Sequence, residues 1–355
     1  MRRRKWKEDS IYITGVGAKT PIGKTALRSA AAVRSGISAY KDHPFMVDRY
    51  GEPFVVTMVE ELADTVALQE RLLDLAKGAL SDLFSSADRL KKRKQLAVIM
   101  AVADTMFPSP EVQKSFASSL ANWLQTLDIQ PRFHFVCEGH AAGVEAVRLA
   151  QTALLREVDS DVVVLGLDSY HDAAILERID SDGRLHSVNN SWGFTPGEGA
   201  AAVLFTLGKH LSSEGPVPLA ELSAIGVAKE SKLLGTKTVC IGAGLTEAFR
   251  AVLSEQTKVS HSFCDLNGET YRADEFGFAV CRTGECFENA GEFTAAAQSW
   301  GDVGAATIPL QLTLATSAWS RRYAKGEHVL CWSSSAAKPL RGAIRLTNNW
   351  YREEE

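Results

Sequence analysis

The chain has 355 residues, 45% of them apolar, and a formal net charge of −4. That is enough for one large domain or two ordinary ones with a substantial core, and the mild acidity gives nucleic-acid binding no support. No apolar run approaches the roughly 20 residues that span a bilayer.

The opening "MRRRKWKEDS" is basic but has no apolar stretch behind it, so residues 1–10 read as a solvated tail rather than a secretory signal. "IYITGVG" (11–17) predicts a buried strand, and "TPIGKTALRSAAAVRSG" a turn and a helix closed by Gly36. "ALQERLLDLAKGALSDLF" (67–84) has helical apolar spacing, and "LAVIMAVA" (96–103) reads as a strand covered on both faces. Strands follow at 133–137, 161–168 and 200–207, with a helix at 140–156 between the first two. The polar, turn-rich "GKHLSSEGPVP" (208–218) marks a boundary between segments 11–208 and 216–348. Beyond it the pattern repeats: strand "LAELSAIGVA", helix "LTEAFRAVLSE", strand "HSFCDLNG" entering a helix, apolar helix "GDVGAATIPLQLTLATSAW", and closing strands "HVLCWSSS" and "GAIRLTN". Alternating strands and helices in both segments predict an α/β fold.

Several motifs are excluded on spacing. Gly15, Gly17 and Gly23 in "GVGAKTPIG" fit neither G-x-G-x-x-G nor a P-loop, so no nucleotide cofactor is expected. The six cysteines contain no C-x-x-C pair; the nearest two are Cys281 and Cys286. They predict free, mostly buried thiols in a reducing, cytoplasmic setting. "DSYHD" (168–172) and the pair His134 and His140 are weak metal patterns, and no metal is expected. There is no G-x-S-x-G elbow for a serine hydrolase.

Taken in order, "IYITGVGAKTPIG", "GHAAGVEAVRLAQ", "GFTPGEGAAAVLF" and "GDVGAATIPLQL" resemble segments of the β-ketoacyl synthases of the thiolase superfamily, from about residue 11 to 345. The resemblance implies two similar α/β halves in a layered αβαβα arrangement, and a homodimer paired through the first half. It also implies a cysteine nucleophile at a helix start, where the helix end favours a thiolate. Aligning "HAAG" with the family's "CAAG" runs without a gap to Asp168 and puts His140 in the nucleophile's place; Cys137 then belongs to the preceding strand. The alternative, Cys137 as nucleophile, deletes three residues within a helix and rotates its apolar face. By the same resemblance Asn267 in "DLNGETYRADE" stands for one catalytic histidine, and Gly301 in "WGDVGAA", with Asp302 beside it, for the other. Ala296 stands for a common lysine, and "WSSSAAKPLRGA", with Ser333 and Ser334, for the oxyanion-hole loop. An imidazole cannot hold a thioester, and losing one oxyanion-type donor costs roughly 10²–10³ in rate.

The expectation is therefore a catalytically inactive relative that binds or scaffolds. The resemblance suggests a secreted effector in a type VI secretion context, or its adaptor, as partner, with an acyl carrier protein a weaker candidate. Two alternatives stay open: a non-catalytic subunit of an active ketosynthase, and an acyltransferase or hydrolase with residual chemistry at His140.

Overall fold

The computed structural model describes residues 6–350, except 63–65 and 237. Its strands are β1 (Ile11–Lys19), β2 (Tyr40–Val47), β3 (Pro53–Thr57), β4 (Gln95–Val102), β5 (Gln130–Cys137), β6 (Asp161–Ser169), β7 (Glu198–Leu207), β8 (Ala220–Lys229), β9 (His261–Cys264), β10 (Phe293–Ala295), β11 (His328–Ser334) and β12 (Leu340–Thr347). The helices are α1 (Ala26–Arg34), α2 (Leu68–Ser86), α3 (Pro110–Gln125), α4 (Ala142–Leu155), α5 (Ala173–Ser181), α6 (Ala243–Arg250), α7 (Thr270–Thr283), α8 (Ala297–Trp300) and α9 (Thr307–Ser320).

Apart from the β2–β3 hairpin, the strands run in the order β10-β9-β11-β12-β8-β1-β7-β6-β4-β5. The order is symmetric about its centre. Numbering five strands in chain order on each side and reading outward from the β8/β1 junction, both halves give 1-5-4-2-3. In both, 1–5 and 5–4 are antiparallel and 4–2 and 2–3 parallel. The halves meet by short pairing of Tyr12 with Glu221 and Ile13 with Ala220. Helices α4 and α9 touch each other and strands of both halves, while α2 packs on the outer face of the first and α6 on that of the second. The chain thus has the layered αβαβα thiolase fold.

Burial explains the apolar runs. Every residue of β6 and β7 is buried, as expected for strands covered on both faces. Residues 307–319 of α9 are buried all round. Its threonines remain compatible with that burial because Thr313 and Thr316 donate to Pro309 O and Leu312 O one turn back.

Some elements differ from the sequence expectation. The β2–β3 hairpin escaped notice because β2 is mostly exposed and carries no alternation. Helix α3 carried a legible start, Ser109 capping Val112 N–H with Pro110 in the first turn. Residues 1–5 of the expected tail lie outside the described residues, but from Trp6 on the chain docks: Trp6 packs edge-on against Tyr12 and Trp350. The thiols are less buried than expected. Cys264 and Cys331 are buried, Cys137, Cys240 and Cys286 half-buried, and Cys281 exposed. Among the described residues no helix is long and apolar enough to cross a membrane.

Candidate functional site

Strand β5 enters α4 through one 3-10 turn, Gly139–Ala141, in which Gly139 takes φ 61°. The second half repeats the device: Gly304–Ala306 precedes α9, and Gly304 takes φ 47°. His140 therefore stands at the head of one central helix and Ala305 at the head of the other. Helix α4 has no side-chain cap of its own. The cap comes from beyond the end of β11: Ala141 N–H donates to Ser335 Oγ (3.1 Å), and Ser335 Oγ donates to Glu138 O. Ser333 Oγ donates to His140 O at 3.0 Å. The serine run so ties the closing strand to the turn that carries His140.

The His140 side chain faces the second half. Its Nε2 lies 2.8 and 2.9 Å from the two carboxylate oxygens of Asp302. Asp302 also accepts from Asn267 Nδ2 (2.6 Å), Tyr170 OH (3.1 Å) and Gly304 N–H (2.8 Å). Burial alone would raise the Asp302 carboxyl, but His140, the Arg272 guanidinium and the Gly304 N–H outweigh it and hold the group well below the usual carboxylate range. Behind it, burial pushes Asp168 up to about 7, although Ala305 N–H and Ser169 N–H donate to it. Asp265 accepts from Arg272 Nη1 (2.5 Å) and Ser334 N–H (2.6 Å), and Arg272 also donates to Ser334 O. Asn267 is held in turn by Glu269, which forms a two-pronged pair with Arg184 at 2.7 and 2.9 Å.

Two cavities approach the network. One, of about 20 Å³, is bounded by Cys264, Asn267, Trp300, Asp302 and Gln311. It has room for about one water molecule. The other is an open cleft of about 610 Å³ bordered by Tyr40, Trp192, Asn267, Glu269 and Phe293. His140 borders neither.

No protein-family profile matches the sequence, and neither does any curated protein. Solved structures do match. A type II polyketide synthase acyl-carrier protein in complex with its ketosynthase has a matching chain at 14% identity and TM-score 0.76, covering 96% of this chain and 100% of that one. The ketosynthase from module 6 of the bacillaene synthase of Bacillus subtilis 168 matches at 12% identity and TM-score 0.75, over 96% and 72%. A ketosynthase in complex with its chain length factor from Xenorhabdus doucetiae matches at 14% and 0.72, over 95% and 98%. The chain has the ketosynthase fold.

Within this ketosynthase-like chain the residues singled out by sequence occupy unequal places. His140 and Asn267 come together on Asp302. Gly301 does not join them with a side-chain position. It takes φ 72° and ψ −174°, and a Cβ there would lie 2.7 Å from Thr57 Oγ1 and 2.9 Å from Thr195 O. The side chain that reaches His140 and Asn267 belongs to Asp302. Cys137 sits apart, among the apolar residues under α3, with Gln113 Nε2 at 3.7 Å from its Sγ. Burial raises its thiol pKa. Ser333 and Ser334 are fully buried as bracing for the His140 turn and Asp265.

Sequence reasoning missed Tyr170 and the acid in "GEGA". Glu198 is fully buried, accepting from Arg71 Nη1, Val59 N–H and Ser169 Oγ at 2.8 to 2.9 Å. The motif's glutamate is thus a bolt between α2, β6 and β7. Metal-ligating groups also converge elsewhere: Glu230, Cys240 and Glu275 have ligand atoms within 4.8 Å of one another. Arg341 Nε already donates to Glu275 there (2.5 Å), so a cation would compete with a guanidinium.

Proposed function

We propose that this protein is a non-condensing member of the ketosynthase-like group that works by binding another protein. One observation carries the reading: where a condensing site needs a thiol and free hydrogen-bond donors, His140 and Asn267 both donate to a buried carboxylate, Asp302. A donor saturated by an internal anion has nothing to offer a developing enolate, and the carboxylate would repel it. Cys137, the nearest thiol along the chain, packs under α3. The turn at 139–141 is engaged by serine hydroxyls. These points also weigh against residual acyl transfer or hydrolysis at His140.

The partner surface is proposed at β5. This eight-residue strand closes the first half's end of the sheet, and its outer edge has no neighbouring strand among the described residues. An open edge of this length pairs readily with another strand. A second copy of this chain is the first occupant we assign to it. An active ketosynthase is the second reading, favoured by the matching structures that are complexes of a ketosynthase with a chain length factor. Of partners beyond the synthases, only the sequence resemblance points to a secreted effector or its adaptor.

Intact-mass spectrometry tests the non-condensing reading. The protein incubated with acyl-CoA or an acyl-loaded carrier protein keeps its mass. A stable adduct on Cys137 or His140 overturns the proposal.

A further inference from the structure

A third cavity, of about 270 Å³, lies between α1, α9 and the β9–β10 edge. It shares Phe293 with the open cleft and no residue with the His140 network. An apolar cavity of about 150 Å³ already takes benzene. The interior is built from Ala30, Val33, Phe263, Leu314, Ala318 and Val329. The titratable groups on its walls are His261, Arg34, Lys325 and Tyr323, whose phenol is held neutral because burial raises it above its ordinary value.

Their charges are unequal in effect. Lys325 is paired with Glu292, which cancels it. Arg34 lies with its guanidinium 4.3 Å over the ring of Tyr323, and among the described residues no carboxylate stands within ion-pair distance of it. His261 has Nε2 at 2.8 Å from Thr294 Oγ1; burial, then Lys325, lower its pKa to about 4, so the ring is neutral at physiological pH. The pocket therefore has an uncharged apolar interior and a mouth with a net charge of one positive unit, delivered by a planar guanidinium already braced on an aromatic ring.

We propose that this pocket binds a small amphipathic monocarboxylate, its apolar body among Phe263, Leu314 and Val329 and its carboxylate on Arg34. A cation is repelled by Arg34. A neutral hydrocarbon of the same shape fills the interior but leaves the guanidinium unused. A planar carboxylate matches the fork of an arginine in a way that a point charge does not. The site is independent of the non-condensing reading above.

The test is calorimetric titration of the full-length protein with octanoate and with 3-phenylpropanoate, alongside octanol as the uncharged counterpart. The expected result is saturable binding of at least one carboxylate, with methyl shifts in NMR confined to Val33, Leu314 and Val329. Arg34→Gln should weaken carboxylate binding at least tenfold and leave octanol unchanged. Arg34 is exposed, so this variant folds. Absence of saturable carboxylate binding overturns the proposal. So does binding that R34Q leaves unaltered, or binding whose methyl shifts lie elsewhere.

Discussion

Asp302, from the segment leading into α9, holds His140, at the head of α4, with both carboxylate oxygens within 2.9 Å of Nε2. The contact joins the two halves of the fold at the point where their central helices begin. On the non-condensing reading proposed above, it places a negative charge where a condensing enzyme would stabilise one. It also explains why a buried anion is tolerated there, because four separate groups donate to it.

Asp302→Ala leaves His140, Tyr170, Asn267 and the Gly304 N–H without their acceptor. The expected loss is roughly 3–5 kcal/mol, the range for breaking a buried charged pair. Urea denaturation should show the midpoint falling while the slope is retained. A variant as stable as the parent would show that the carboxylate is not the fastening it is taken for.

On the non-condensing reading, placing a thiol at position 140 should not give condensation. His140→Cys supplies a thiol at a helix head, yet Asp302 stays beside it. Adding Asn267→His and Gly301→His makes matters worse, since the Gly301 backbone, φ 72° and ψ −174°, lies in a region essentially reserved for glycine. A side chain there costs of order 1–3 kcal/mol in backbone strain, besides its overlap with Thr57 and Thr195. Malonyl decarboxylation assays should stay at background for H140C. The triple variant should melt lower than H140C alone.

Asp168 predicts a pH dependence of definite sign. Burial raises its carboxyl from 3.8 to about 7 in the folded chain. A raised folded pKa means the folded state holds the proton more tightly. The stability this group contributes is present below about pH 4 and is lost as pH rises toward about 7, amounting to as much as roughly 4 kcal/mol for a shift of about three units. NMR titration of carboxyl-labelled aspartate should find one resonance, assigned through Asp168→Asn, still titrating near neutrality. If every aspartate has titrated by pH 5, the burial argument fails.

The open edge of β5 predicts self-association. Sedimentation at micromolar concentration should give twice the 38.5 kDa chain mass, with an interface of roughly 2,000 Å² or more. Hydrogen exchange at β5 should then be slower than an exposed edge allows, and should quicken on dilution. A monomer at every concentration removes β5 as a homodimer surface and leaves a different chain as its occupant.

Much of the fold was legible in the sequence. The continuous apolar runs of β4, β6, β7 and α9 announce elements buried on every side, and their alternation announces an α/β sandwich, because burial leaves a periodic trace in residue type. The placing of Cys137 at the end of its strand and of His140 at the helix start was legible too, since a helical register does not tolerate a three-residue shift. Exposed or polar elements such as β2 leave no such trace. What the tertiary structure alone decided is which side chain completes the site. By the family resemblance Gly301 is the residue expected in the second histidine's place. Its left-handed backbone, packed on Thr57 and Thr195, turns the next residue inward, and the carboxylate of Asp302 arrives against His140 and Asn267 from 162 and 35 residues away. Linear order carries no record of that direction, because it depends on where two separately folded halves bring their helix heads.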